Sequence, residues 1–197
     1  LLILRFAKTI LFCLFSIFLF YRSVEIFQNL QSNRSANLNH SEYFILAFLF
    51  NAFVTGVFAF PGFVFPTHKL LPLNYYSIRN AKHLNLWYKY LGVKYFRKLL
   101  MVFFWGSRKN RKKYFDGKRS GLKNLDFQSK QSEFGHLGAF VVIGISSLII
   151  LIYGHYYFVL YCLLINFIGN FYPILLQRKH RYRISLLKSK FSNKISN

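Results

Sequence analysis

Four stretches of the chain are almost wholly apolar, and the polar residues gather in the segments between them. Residues 1–21, 43–65, 137–153 and 156–176 each approach the roughly 20 apolar residues that a helix needs to cross the hydrocarbon core of a bilayer. In the first stretch Arg5 and Lys8 stand near the start, where long basic side chains snorkel to the headgroups, and residues 9–21 carry no charge. A signal peptide shares this order, but no small-x-small cleavage site follows and the aromatic end at Phe18 to Tyr21 suits an interfacial anchor, so a retained helix is expected. The second stretch is interrupted only by Asn51 and Thr55 and closes on Pro61, Gly62 and Pro66, which should terminate or kink it. Between the third and fourth stand only Gly154 and His155, a turn so short that the two helices must form an antiparallel hairpin. The expected fold is therefore all-α: a polytopic membrane protein of about four transmembrane helices, built as one domain over residues 1–197.

The basic residues orient this arrangement. Residues 22–42 hold two Lys or Arg, residues 67–136 sixteen and residues 178–197 seven. With four crossings both basic segments fall on one side, and the positive-inside rule makes that side the cytoplasm. Arg5 and Lys8 agree, so both termini are expected in the cytoplasm.

The loop at 67–136 is too apolar for a linker. Over residues 86–105 Trp87, Tyr90, Leu91, Phe96, Leu99 and Leu100 mix with Lys94, Arg97 and Lys98, the last three at helical spacing. This pattern predicts a helix lying in the membrane interface, its apolar face in the lipid and its cations toward anionic headgroups. A strongly basic run at 108–113 follows, and Asp116-Gly117 reads as a turn.

Composition narrows the chemistry. The chain is 54% hydrophobic, with 27 Lys and Arg against 5 Asp and Glu, so a site built from several carboxylates around magnesium is not expected. Cys13 and Cys162 both lie in apolar runs, away from ligand spacing, and no disulfide framework, zinc site or other metal centre is expected. Positive-inside bias explains the charge without nucleic acid as a partner. Walker, dinucleotide, HExxH and GxSxG signatures are absent, as is an HxxxxD pair after His136.

Polar residues at membrane depth are costly, which makes the few that persist the leads to function. Glu133 and His136 stand three apart at the mouth of the third helix, a spacing that puts a carboxylate beside an imidazole and suits general-base activation of a hydroxyl. An ordinary interfacial Glu and His at a helix start would look the same. On the fourth helix Asn166, Asn170, Gln177 and Arg181 fall in one stripe at about 100° per residue and should face the bundle. Amide glue between helices and a polar pocket at the cytoplasmic edge both fit that stripe.

These residues carry a resemblance. Ser129-Lys130 followed by Glu133 and His136, then Asn170, then Gln177-Arg178, Arg181 and Arg183, with Asp116-Gly117 after a basic run, resembles the glycosyl-4,4'-diaponeurosporenoate acyltransferase family of bacterial carotenoid biosynthesis. The sequence departs from that pattern at Leu137, where an aromatic residue is expected, at Pro173, which is displaced from the Asn, and at Lys179, His180 and Tyr182 among the arginines. The resemblance implies a membrane enzyme that esterifies a sugar hydroxyl of a carotenoid glycoside with a fatty acyl group. In that reading His136 is the base and Glu133 its assistant. Asn170, Gln177, Arg178 and Arg181 hold substrate, the oxyanion or donor phosphates, with Asp116, Lys118 and Arg119 as lesser candidates. No cofactor is bound; acyl-CoA or acyl carrier protein is the co-substrate, and membrane lipid and the lipid-anchored sugar acceptor are the other partners. The alternative is a non-enzymatic membrane protein whose basic surface binds anionic lipid or an acidic partner.

Overall fold

The computed structural model describes residues 2–32, 38–103 and 121–193, and among these every regular element is a helix. Four helices of 30, 23, 32 and 34 residues have the length and hydropathy to cross a membrane. The shortest still spans about 35 Å at 1.5 Å per residue. The chain is an all-α polytopic membrane protein. It divides into two compact units: one holds residues up to His68 together with Phe134–Phe171, the other Lys69–Glu133 together with the chain from Tyr172 onward.

In the first unit, α1 (Leu2–Ser32) turns large apolar side chains such as Leu14, Ile17 and Phe20 outward, as a lipid-facing helix does. It continues well beyond the expected end at residue 21. Arg22 pairs with Glu25 one turn on, and Ser23 and Ser32 bond back to carbonyls of the preceding turn, so polar residues carry the helix out of the apolar stretch. The second helix, α2 (His40–Gly62), starts on a capping box: the Asn39 side chain accepts from the Glu42 N–H at 2.9 Å, and the Glu42 carboxylate accepts from the Asn39 N–H at 2.8 Å. Pro61 sits in its last turn and the helix stops there, three residues before the expected bound.

Helix α5 (Gly121–Ile152) begins sixteen residues before the expected start at 137. Hydropathy marks only the part that meets lipid, and the amphipathic polar turns before it are equally helical. After Ile152, Gly154 takes φ +86°, a left-handed conformation that suits glycine, and the chain reverses into α6 (Tyr156–Asn166). The reversal is pinned by His155, which is buried: Nε2–H donates to the Leu30 carbonyl at 2.8 Å, leaving Nδ1 to accept from the Tyr43 hydroxyl at 3.1 Å. The core packs Ala47, Phe50 and Val54 of α2 with Ala139 and Ile143 of α5 and Phe158 and Cys162 of α6. Asn51 is buried there and donates to the carbonyls of Ala47 and Cys162 at 2.8 and 3.2 Å.

Beyond Asn166 the helix widens into a π-turn, Phe167–Phe171. Pro173 supplies the reason: it lacks the N–H that would bond the carbonyl four residues back, and its ring crowds that carbonyl, so the ladder must readjust just before it.

The second unit contains two short 3₁₀ turns (Thr67–Leu70, which enters from the first unit, and Leu73–Tyr76), then α3 (Ala81–Tyr90) and α4 (Val93–Phe103), the amino-terminal turns of α5, and α7 (Tyr172–Asn193). The single interfacial helix expected over 86–105 is thus two helices. They are broken at Leu91-Gly92, where Gly92 has φ +62°. Asn80 caps α3 by accepting from the His83 N–H at 3.0 Å. Both helices pack on α7, through the Tyr172 hydroxyl donating to the Leu91 carbonyl at 2.9 Å and the edge-to-face Phe96 and Tyr172 rings. Trp87, Tyr90, Tyr95, Leu99 and Val102 remain exposed, the arrangement expected of helices in an interface. The basic run at 108–113 and the Asp116-Gly117 turn lie outside the described residues.

Candidate active site

Within the first unit, His136 of α5 meets the π-turn. Its Nδ1 lies 2.9 Å from Oδ1 of Asn170, a residue only 1% exposed. The Asn170 amide nitrogen donates to Asn166 Oδ1 at 3.0 Å and to Thr55 Oγ1 at 3.1 Å, and Asn166 in turn donates to the Phe140 carbonyl at 3.0 Å. With its nitrogen committed as donor, Asn170 presents only its oxygen to the ring, so Nδ1 of His136 carries the proton. In a neutral imidazole the other nitrogen, Nε2, then holds the lone pair. Among the described residues nothing bonds to Nε2. An imidazole with a fixed tautomer and an open basic nitrogen, oriented by a third group, is the arrangement found in nucleophile-activating sites. The π-turn is part of the construction, since Asn166 and Asn170 flank and occupy it and both are buried.

Within the second unit, Glu133 is fully buried and held by two arginines of α7. Arg178 Nε donates to Oε1 at 2.9 Å, and Arg181 Nη2 contacts Oε2. Two consecutive tyrosines of the second 3₁₀ turn cover these cations: the Arg178 guanidinium lies 5.0 Å from the Tyr75 ring centroid and that of Arg181 5.3 Å from Tyr76. Arg181 Nε also donates to the Tyr76 carbonyl at 3.3 Å, while its buried Nη1 has no hydrogen-bond partner among the described residues. Burial, and after it the Glu133 charge, push both tyrosine hydroxyls above the usual phenol range. Among the described residues, one carboxylate against two guanidiniums leaves this cluster, in which Glu133 and Arg181 are buried, with one positive charge in excess.

A family model described as glycosyl-4,4'-diaponeurosporenoate acyltransferase matches residues 72–190, which include His136, Asn170, Glu133 and both arginines. The chain belongs to that family. As a member it is an acyltransferase of carotenoid biosynthesis. No match is found among curated proteins or among solved structures.

The family segment accommodates the sequence expectations unevenly. Asn166 and Asn170 face inward as expected, and the hairpin brings His136 to Asn170, a contact the sequence did not point to. The pairing expected between Glu133 and His136 is replaced by two separate arrangements: the carboxylate goes to Arg178 and Arg181, and Asn170 orients the ring. Physically the guanidiniums win, because a buried carboxylate needs full countercharge and a neutral imidazole offers none. Asn170, expected to hold substrate, is occupied by His136, Thr55 and Asn166. Gln177 donates to Ser132 Oγ at 3.2 Å. Asp116, Lys118 and Arg119 lie outside the described residues. Among the described residues no group of three or more His, Cys, Asp or Glu stands together as metal ligands would.

Sequence reasoning did not single out Thr55 as part of the His136 network, nor Tyr75 and Tyr76 as covers for the arginines. Thr55 was visible as one of two polar positions in an apolar helix, the signal that should have joined it to the site. The tyrosine pair sits in an irregular segment that gives no periodicity to read.

Proposed function

We propose that this acyltransferase moves a fatty acyl group from an activated thioester donor to a sugar hydroxyl of a glycosylated carotenoid, with His136 as general base. The observation that supports this reading is the hydrogen bond from His136 Nδ1–H to Asn170, which leaves Nε2 as the basic nitrogen. In the reaction Nε2 takes the hydroxyl proton as the oxygen attacks the acyl carbonyl. The new C–O bond forms, the tetrahedral oxyanion collapses, the C–S bond breaks, and the imidazolium returns the proton to the departing thiolate. A sugar hydroxyl is a poor nucleophile at neutral pH, which is why the base matters.

The donor, acyl-CoA or acyl carrier protein, carries phosphate, and the cations of the second unit are suited to it. Arg181 brings to this role a guanidinium nitrogen that is unpaired among the described residues, with Arg178 and Gln177 beside it in sequence; Lys118, Arg119 and Asp116 are further candidates. The enzyme works at the cytoplasmic face of the bacterial inner membrane, where both substrates are within reach.

The test is conversion of a glycosylated carotenoid acceptor to its acyl ester in membranes holding equal amounts of wild-type protein and the His136→Ala variant. Turnover should fall by ~10² to 10⁴, the usual worth of general-base assistance. A purely electrostatic lipid-binding role would leave the two variants alike, because the substitution hardly changes the charge at neutral pH.

A further inference from the structure

The second unit gathers cations that the buried Glu133 cluster does not use. Its carboxylates are Asp126, Glu133 and Asp116, the last outside the described residues. Asp126 holds Lys130 at 3.0 Å and Lys188 at 3.7 Å, while Glu133 holds Arg178 and Arg181. Lys179 is occupied as well: it contacts Asn85 Oδ1 and lies 5.6 Å from the Tyr88 ring centroid and 5.3 Å from that of Tyr182. Two arginines are left over. Among the described residues neither Arg97 of α4 nor Arg183 of α7 has a side-chain hydrogen bond or an ion pair.

The fold brings these two together. Helix α4 packs on α7 through the Phe96 and Tyr172 rings, whose centroids are 5.4 Å apart, with Val93 fully buried on the same side of α4. Arg97 follows Phe96 and is half-buried. On α7, Arg183 stands three residues after His180, so the two share a face. Arg97 and Arg183 both lie close enough to the His180 ring for their charges to act on it. Guanidiniums gathered at one place repel each other, and an anion between them removes that cost. Arg183 is exposed, so such an anion can enter from water.

The faces of α4 separate this pair from the phosphates of the membrane itself. Tyr95, Leu99 and Val102 form its exposed apolar stripe. At 100° per residue, Lys98 stands within about 60° of Tyr95 and Val102, at the border of that stripe, whereas Arg97 stands about 160° away from Tyr95 and Leu99. A lipid headgroup beside the stripe meets Lys98. Arg97 is turned the other way, toward α7.

We propose that Arg97 and Arg183 form a phosphate site whose ligand is the phosphate of the pantetheine arm that both thioester donors share. The proposal rests on the acyl-transfer reading above and adds an anchor for the donor apart from Arg178 and Arg181, whose charge Glu133 offsets in part. The planar guanidinium fork suits a phosphate, offering it two parallel N–H···O bonds, and it keeps its charge at every working pH.

The test uses purified full-length protein in neutral detergent and two probes, 4'-phosphopantetheine and pantetheine, which lacks the phosphate. The wild type should prefer the phosphorylated probe by ~10-fold or more, the usual worth of hydrogen bonds to a charged group. Arg97→Gln and Arg183→Gln should each remove most of that preference while the thermal midpoint stays near that of the wild type. Lys98→Gln deletes the same charge at the border of the apolar stripe and should leave the preference intact. In esterification assays the two arginine variants should raise KM for the acyl donor and keep kcat. Nanodiscs of phosphatidylcholine with and without phosphatidylglycerol separate the two sources of phosphate, and the preference should be equal in both. A preference lost in the phosphatidylglycerol discs would put a lipid headgroup on the arginines and overturn the assignment to the donor. Equal affinity of the wild type for both probes, or glutamine variants that match the wild type, overturns the site itself. If the preference depends on the arginines but no ester forms, the acyl-transfer reading falls and the phosphate site stands.

Discussion

The amide oxygen of Asn170 lies 2.9 Å from Nδ1 of His136, and the amide nitrogen of the same residue is held by Asn166 and Thr55. The orientation of the imidazole is thus set by a residue 34 positions away, delivered by a π-turn in the returning helix. Removing the orienter should let the ring turn and sample the wrong tautomer. Asn170→Ala is expected to lower kcat by ~10- to 100-fold, less than loss of a general base itself, which is typically worth 10² to 10⁴. Asn170→Asp, which can accept the same Nδ1–H bond, should recover part of it. An Asn170→Ala variant as fast as wild type would show that the bond is packing alone.

Thr55 reaches the same amide from α2, so its removal should be milder. Thr55→Val keeps shape and deletes the hydroxyl, leaving one donor of Asn170 unpaired at a cost of about 1–3 kcal/mol. The expected outcome is a lower thermal midpoint with KM for the acceptor little changed. A large rise in KM with unchanged stability would instead make Thr55 a substrate contact.

The chain shows where sequence reasoning succeeds in a membrane protein and where it stops. Four crossings and the hairpin were legible because hydrocarbon imposes length and the two-residue turn at Gly154-His155 imposes direction. From these it followed that the start of the third helix meets the fourth, but not that Asn170 is the residue that orients His136. The ends of the helices were not legible: α5 begins at Gly121 and α1 continues to Ser32 because polar helical turns leave no hydropathy signal. The partner of Glu133 was misread for a different reason. Spacing along one helix offers His136 as a neighbour, but the choice is made by two arginines 45 and 48 residues later, whose countercharge a buried carboxylate cannot forgo. His155 is a further case, a histidine whose two ring nitrogens are used to fasten a turn.

Glu133 therefore belongs in a stability experiment. With the buried Arg181 left uncompensated, Glu133→Gln should destabilise the protein by about 3–5 kcal/mol, the usual result of breaking a buried pair from one side. The readouts are the amount of folded protein in membranes and its thermal midpoint in detergent. The Glu133→Gln, Arg181→Gln double variant should regain part of the loss, since it restores the charge balance. Activity per folded molecule should fall less than it does for His136→Ala. An unaltered midpoint would mean that water or lipid phosphate already screens the cluster.

Both termini are expected on the cytoplasmic side, with the turn near Asn39 and the one at Gly154 on the other. The motive is the distribution of Lys and Arg, two between the first crossings against sixteen and seven in the later segments. Fusions of a periplasm-active reporter after Asn39 and after Arg183 read this directly. Activity after Arg183, or silence after Asn39, would reverse or break the arrangement.

The remaining question is which histidine takes the proton. His155 is excluded as a free base by its own bonds, with Nε2 on the Leu30 carbonyl and Nδ1 on the Tyr43 hydroxyl. His83 lies on α3 with its backbone N–H serving the Asn80 cap, and His40 is engaged through Nδ1 with the Tyr161 hydroxyl at 3.2 Å. His180 is the serious competitor, because it sits on α7 between Lys179 and Arg181 in the same family segment as His136. The two differ in their surroundings: His136 has a neutral amide to fix its tautomer, whereas His180 is flanked by cations that oppose the imidazolium formed when a base accepts a proton. His136→Ala should therefore abolish esterification beyond ~10²-fold while His180→Ala leaves most of it, each measured per folded molecule in membranes. His136→Asn, whose amide N–H can donate from the position of Nδ1 but which cannot accept a proton, should be as inactive as His136→Ala. If His180→Ala is the inactive variant and His136→Ala turns over normally, the base belongs to α7 and the Asn170 network is structural.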